Sequence, residues 1–248
     1  MTSTPPARAP RPETRLVVEA TETLSPSMVR LRFRSQDLSA FDGSLFTDRY
    51  VKLVVPHPDG SQVVRTYTAL EPDVVTGTLA IDFVVHGTEG YAGPWAAAAR
   101  PGDEISARGP GGAYAPDPAA DWHLFAGDES ALPAIRAALA ALPADARGHA
   151  VLEAPSGHEQ EVVAPEGVAV QWVSEALPAA VRAVAWAPGR VQAFVHGEAE
   201  AVMHGIRPYL LAERGLPRMD VSVSGYWRRG RTEETFREWK RELAEAES

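Results

Sequence analysis

The chain has 248 residues, 45% hydrophobic and 23% charged, with 24 Lys plus Arg against 33 Asp plus Glu and no cysteine. This is the composition of a globular protein of one large or two modest domains. A net charge of −9 disfavours nucleic acid as a partner. The absent cysteine excludes disulfides, Cys-ligated iron–sulfur clusters and Cys-type zinc sites, which leaves redox chemistry to a dissociable organic cofactor or to a metal carried by the substrate.

Met1 to Glu13 is rich in Pro, Ala, Ser and Thr and has no apolar run, which reads as a disordered tail rather than a secretory leader. Strands are expected at Arg15–Ala20, Met28–Arg34, Tyr50–Pro56, Val63–Ala69, Leu79–His86 and Glu104–Ala107, because these runs are rich in Val, Ile, Leu and aromatics. Ser25-Pro26, Asp59-Gly60, Thr76-Gly77 and Pro101-Gly102 punctuate them as turns. In Met28–Arg34 the alternation of Val29, Leu31 and Phe33 with Arg30, Arg32 and Arg34 gives one apolar and one wet face. An antiparallel barrel or sandwich follows.

After Pro116-Asp117-Pro118 the pattern becomes strand, helix, strand. Strands are expected at Trp122–Ala126, Gly148–Ala154, Val168–Val173, Val191–His196 and Met219–Ser224, with helices at Ser130–Leu142, Glu198–Glu213 and Thr232–Glu245. This alternation predicts a Rossmann-like parallel sheet covered by helices, which binds ligands at the carboxyl ends of its strands. The boundary is placed near residue 118, giving domains over 14–118 and 119–248. Ala131–Ala144 is the most apolar long window, but Pro133, Arg136 and Pro143 interrupt it and it is shorter than the ~20 residues a membrane span needs. A cytoplasmic protein is expected.

Three segments carry candidate chemistry. Arg65-Thr66-Tyr67-Thr68 offers a cation for a pyrophosphate, an aromatic face for a flavin and hydroxyls for its polar edge; an edge-strand Arg beside a half-buried Tyr is the plainer reading. Gly90-Tyr91-Ala92-Gly93-Pro94-Trp95 lets backbone N–H groups approach a phosphate, or else plugs the barrel with Trp95 in its core. Gly127-Asp128-Glu129-Ser130 turns from the first strand to the first helix of the α/β domain, where a nicotinamide dinucleotide docks. It lacks G-x-G-x-x-G, and its two carboxylates would repel a pyrophosphate.

Taken in order, Arg65-Thr66-Tyr67-Thr68, His86-Gly87 to Trp95 with Pro101-Gly102-Asp103, Gly127 to Pro133, and Ser224-Gly225-Tyr226-Trp227-Arg228 resemble the siderophore-interacting proteins. These are flavin-dependent ferric-siderophore reductases related to the ferredoxin reductase superfamily, and the resemblance runs from about residue 15 to 240. It implies an N-terminal antiparallel β-barrel FAD domain followed by a Rossmann-like NAD(P)H domain. Arg65, Thr66, Tyr67 and Thr68 would contact FAD, His86 would lie beside it, and Gly90, Ala92, Gly93 and Trp95 would flank its pyrophosphate. Many relatives carry Ser in place of Gly93 and Pro in place of Tyr91, so backbone N–H groups would replace a hydroxyl here.

Lys52 matches a family Lys of the siderophore pocket, where it would attract an anionic ferric chelate; a solvated strand Lys is the alternative. Trp227 would shield the flavin or stack on nicotinamide, and Arg228 would bind cofactor phosphate or chelate carboxylates. Glu153, ending the second strand of the α/β domain, would accept from a ribose 2′-OH and favours NADH over NADPH. The seven histidines, at 57, 86, 123, 149, 158, 196 and 204, show no metal-ligand spacing, and no G-x-S-x-G elbow is present. The expected activity is electron transfer from NAD(P)H through FAD to a bound ferric siderophore. The alternatives are a general flavin reductase serving a ferredoxin or oxygenase, with ferredoxin as a possible donor, and a non-catalytic siderophore carrier.

Overall fold

Period-2 patterning in the first half builds seven strands: β1 (Glu13–Ser25), β2 (Met28–Arg34), β3 (Tyr50–Pro56), β4 (Gln62–Thr68), β5 (Leu70–Asp73), β6 (Thr78–Val84) and β7 (Glu104–Gly111). The structure, a computed structural model, describes residues 13–56, 59–85 and 90–230. His86, residues 1–12 of the expected tail and the helix expected at Thr232–Glu245 lie outside them, whereas Glu13, expected to close the tail, begins β1 opposite Arg108. The strands pair antiparallel throughout, in the order β4-β3-β7-β1-β2-β6-β5. This sheet is barrel-like without closing by hydrogen bonds. Tyr67 of β4 meets Phe83 of β6 across the remaining seam, their ring centroids 4.5 Å apart. Leu16, Leu31, Phe33, Leu53, Ile81 and Phe83 fill the interior, and helix α1 (Ala92–Ala98) packs Trp95 against Phe83.

The second half forms an all-parallel sheet of β8 (Trp122–Asp128), β9 (Gly148–Glu153), β10 (Val168–Val173), β11 (Val191–Glu198) and β12 (Val221–Trp227). Its order is β10-β9-β8-β11-β12, so strand order reverses between β8 and β11, the position that creates a ligand crevice in such sheets. Those two strands are buried almost from end to end, as central parallel strands must be. Helices α2 (Leu132–Ala140) and α3 (Leu177–Ala183) and a wide helix over 199–213 with π-type turns cover the faces. The barrel-like sheet ends at Gly111 and the parallel sheet begins at Trp122, with a connecting segment between.

The two sheets are fastened to each other by buried contacts. Met28 has no exposed surface and packs into the α/β core beside Phe125 and Ile135. Arg30, expected on the wet face of β2, instead makes a two-pronged bond to Asp82 of β6 at 2.6 and 2.9 Å. Arg136 of α2 approaches the same carboxylate at 4.0 Å, so α2 covers what would otherwise be a solvated face. Ser27 donates to the Glu129 carboxylate and meets His158 Nδ1 at 2.7 Å. Tyr114, Phe194, His196 and Tyr226 form a row with centroid spacings of 4.6, 3.9 and 5.0 Å.

Removing one member of a buried ion cluster leaves charge without compensation, at a cost of about 3–5 kcal/mol. Asp82→Asn is therefore expected to lower unfolding stability by that order through loss of the anion between Arg30 and Arg136. Denaturant titration checks this, and a loss under about 1 kcal/mol would show that the cluster behaves like surface charge.

Candidate functional site

Among the described residues strand β4 is the edge of its sheet, pairing with β3, and the register sets which motif residues share a face. Tyr67 stands opposite Val51 and Arg65 opposite Leu53, whereas Thr66 stands opposite Lys52 and Thr68 opposite Tyr50. Val51 and Leu53 are core, so Arg65 and Tyr67 lie on the inward face. Thr66, Thr68 and Lys52 lie on the outward one, where Lys52 Nζ is 3.4 Å from Thr66 Oγ1 and 5.8 Å from the Tyr50 ring centre. A ligand gripping all four motif residues must straddle β4, and an edge strand permits that.

The Arg65 guanidinium stands 5.7 Å from the centre of the Tyr91 ring. Two segments separated in sequence by β5 and β6 thus meet, and Tyr91 leads directly into the first turn of α1. Gly93 lies in that turn, where a Cβ would come within 2.9 Å of the Val84 carbonyl oxygen. This close approach accounts for glycine at the position and leaves backbone N–H groups as the donors there. Trp95 is half-buried against the barrel core, while Ala92 is fully buried and Gly90 opens the segment in a left-handed conformation.

At the carboxyl edge of the parallel sheet, Gly127 permits the tight strand-to-helix turn: a Cβ there would meet Ala131 Cβ and the His196 carbonyl oxygen, each at 2.6 Å. Asp128 does not face an open pyrophosphate path. Its carboxylate accepts from Ser130 N–H and hydroxyl, from Glu198 N–H at 2.7 Å and from the Trp227 indole N–H at 2.8 Å. Desolvation pushes this carboxyl above its ordinary range against the pull of those donors. Glu129 is buried at the junction of the two sheets, where its carboxylate is held by Ser27. Glu153 Oε2 accepts the Leu177 N–H at 2.9 Å and so anchors the start of α3.

Trp227 keeps 37% of its surface exposed, with its indole orientation fixed by Asp128. Beside it a cleft of about 680 Å³ is lined by Pro178, Glu198, Glu200, His204, Arg228 and Arg229 among others. Arg228 pairs with Glu200 at 3.0 Å, and Glu198 accepts from the backbone N–H groups of Ala201 and Arg229. Burial beside the Asp48 and Asp128 carboxylates raises the Tyr226 phenol above its usual range. Sequence reasoning missed Ser27, His158 and Glu198, whose partners lie far away in the chain. Among the described residues no group of three or more His, Asp or Glu could hold a metal ion, and no helix is long and apolar enough to cross a membrane.

The residues at the β4 edge suit a flavin dinucleotide. Arg65 supplies a cation beside Tyr91, Tyr67 an aromatic surface at the open seam, Thr68 a hydroxyl across the strand, and the turn at Gly93 a backbone surface without a side chain.

Comparison with known proteins identifies the family. Residues 17–63 and 59–114 match the siderophore-interacting FAD-binding domain, and residues 120–230 match the siderophore-interacting protein model. An uncharacterized protein of Mycobacterium tuberculosis is 47% identical over 97% of this chain and 99% of its own. Ferric vibriobactin reductase ViuB of Vibrio cholerae is 36% identical over 73% of this chain and 70% of its own. The crystal structure of a siderophore utilization protein from T. fusca superposes with a TM-score of 0.77 at 35% identity, covering 90% of this chain and 95% of that one. The fold is that of the ferredoxin reductases, and the chain belongs to the siderophore-interacting protein family.

Proposed function

We propose that this protein is an FAD-dependent ferric-siderophore reductase that takes its electrons from NAD(P)H. The observation that carries this reading is the meeting of Arg65 with Tyr91, which joins the two candidate FAD segments at the open edge of the sheet. The similarity to a protein named ferric vibriobactin reductase supplies the substrate class. When bound, FAD would supply hydride acceptance from NAD(P)H and one-electron transfer to chelated Fe(III), the chemistry that would release iron as Fe(II).

The chain's own residues bind and orient. Arg65 faces the cofactor pyrophosphate and Tyr67 covers part of the ring system, with Thr66 and Thr68 reaching its polar edge from the outer side of β4. Gly90, Ala92, Gly93 and Trp95 shape the phosphate side, and His86 belongs to the same segment. Gly127, with Asp128 acting through Trp227, shapes the nicotinamide side. Lys52 and Arg228 draw in an anionic ferric chelate by long-range attraction, a role that needs no protein ligand to iron.

Purified chain reconstituted with FAD is expected to oxidise NADH or NADPH only slowly until a ferric siderophore is added, with Fe(II) trapped by a chromogenic chelator. Reduction of ferredoxin without chelate reduction would favour a general flavin reductase. Tight chelate binding without turnover of any reductant would favour a carrier.

Arg65→Ala is expected to weaken FAD binding roughly tenfold or more, the worth of a charge-assisted contact, with the circular dichroism spectrum unchanged. Unaltered flavin occupancy would remove Arg65 from the site. Lys52→Ala should retain FAD and raise the KM for an anionic chelate, with the difference shrinking at high salt as steering is screened. Equal losses with neutral and anionic chelates would show structural damage instead.

A further inference from the structure

Arg49 lies just ahead of β3, and its carbonyl accepts the N–H of Ala69 at 2.8 Å. Ala69 follows the Arg65 to Thr68 motif and is buried in the barrel core. By the alternation that places Val51 opposite Tyr67, Arg49 shares the inward face with Arg65 and Tyr67. Its side chain is half-buried. Nη1 reaches only the Ser44 carbonyl at 3.3 Å, while the enclosed Nε has no hydrogen-bond partner. No carboxylate among the described residues pairs with it, and neighbouring Asp48 is turned to the N–H groups of Ala113 and Tyr114, each at 2.9 Å. Burial accordingly pulls the guanidinium pKa down.

A half-buried guanidinium without an anion is a costly arrangement, and its position suggests which anion it serves. Ala69 directly follows β4 and is four residues from Arg65, about 13 Å at ~3.3 Å per residue. With Arg65 at the cofactor phosphates, Arg49 stands one ribityl chain further along, at the isoalloxazine end. Hydride transfer from NAD(P)H delivers two electrons and one proton to the oxidised ring and leaves NAD(P)+, so the reduced ring gains one negative charge. A fixed cation beside that ring stabilises the reduced form over the oxidised one.

Resting on the reading that FAD occupies the β4 edge, we infer that Arg49 is the cation that holds the reduced flavin as its anion and thereby raises the flavin's potential. The test measures oxidised-FAD affinity and midpoint potential in the FAD-loaded full chain, its Arg49→Gln variant and its Arg49→Lys variant. For Arg49→Gln we expect oxidised-FAD affinity within about twofold of the unmodified chain. Its preference for reduced over oxidised FAD should fall about tenfold, roughly 30 mV for a two-electron couple, and Arg49→Lys should recover most of it.

In the unmodified chain the reduced flavin should keep its anionic absorbance spectrum at and below neutral pH. That measurement decides the matter if Arg49→Gln fails to fold, and a neutral reduced flavin at pH 7 would overturn the assignment. So would an unchanged potential in folded Arg49→Gln, or a loss of oxidised FAD as large as that in Arg65→Ala, which would move Arg49 to the phosphates. Absence of FAD uptake by the unmodified chain would overturn this inference together with the proposed function; uptake with an unshifted potential would overturn this inference alone.

Discussion

The carboxylate of Asp128 gathers four donors from three strand ends: its own turn through Ser130, the end of β11 through Glu198 N–H, and the end of β12 through the Trp227 indole. Donors to a charged acceptor contribute about 1.5–3 kcal/mol each and offset part of the dehydration cost, which still leaves this carboxyl raised above its ordinary range. The adjoining Gly197 is at φ +141°, with the Asp128 carboxylate where a Cβ would be, so β11 can end this close only as glycine. This one group ties together the carboxyl ends of β8, β11 and β12, and the orientation of the Trp227 indole depends on it.

The second constraint is the junction of the two sheets, which fixes one relative to the other. The contacts that fasten them are mixed in kind. Met28 is an apolar plug, Asp82 draws Arg136 of α2 towards Arg30, and the row from Tyr114 to Tyr226 ties the connecting segment to β11 and β12 through tilted, stacked and edge-on rings. Apolar burial supplies most of the free energy in such a junction, while the charged groups restrict it to one alignment.

Much of this was legible in the residues. The mostly apolar runs of β8 and β11, broken by His123, Gln192 and His196, announce central parallel strands, and the alternation in β2 announces a half-exposed one. Short elements were not legible: β5 is four residues with a proline, and α3 begins after Ala176 at φ +63°, a conformation nothing in its sequence signals. The role of Asp128 escaped for a different reason. Near a dinucleotide turn a carboxylate reads as electrostatic repulsion until its indole partner, 99 residues away, is known. Arg30 likewise reads as solvated until α2 is laid over it. The candidate FAD motif was found as a string, yet its division between two faces of β4 follows from pairing with β3.

The seam between β4 and β6 is bridged by rings rather than by a hydrogen-bond ladder. Among the described residues no backbone ladder joins β4 to β6, so the sheet closes on itself through side chains. An aromatic pair contributes about 0.5–1.5 kcal/mol beyond its buried area, and it can part without unpairing any two neighbouring strands. The barrel-like sheet is therefore easiest to open along the line between Tyr67 and Phe83.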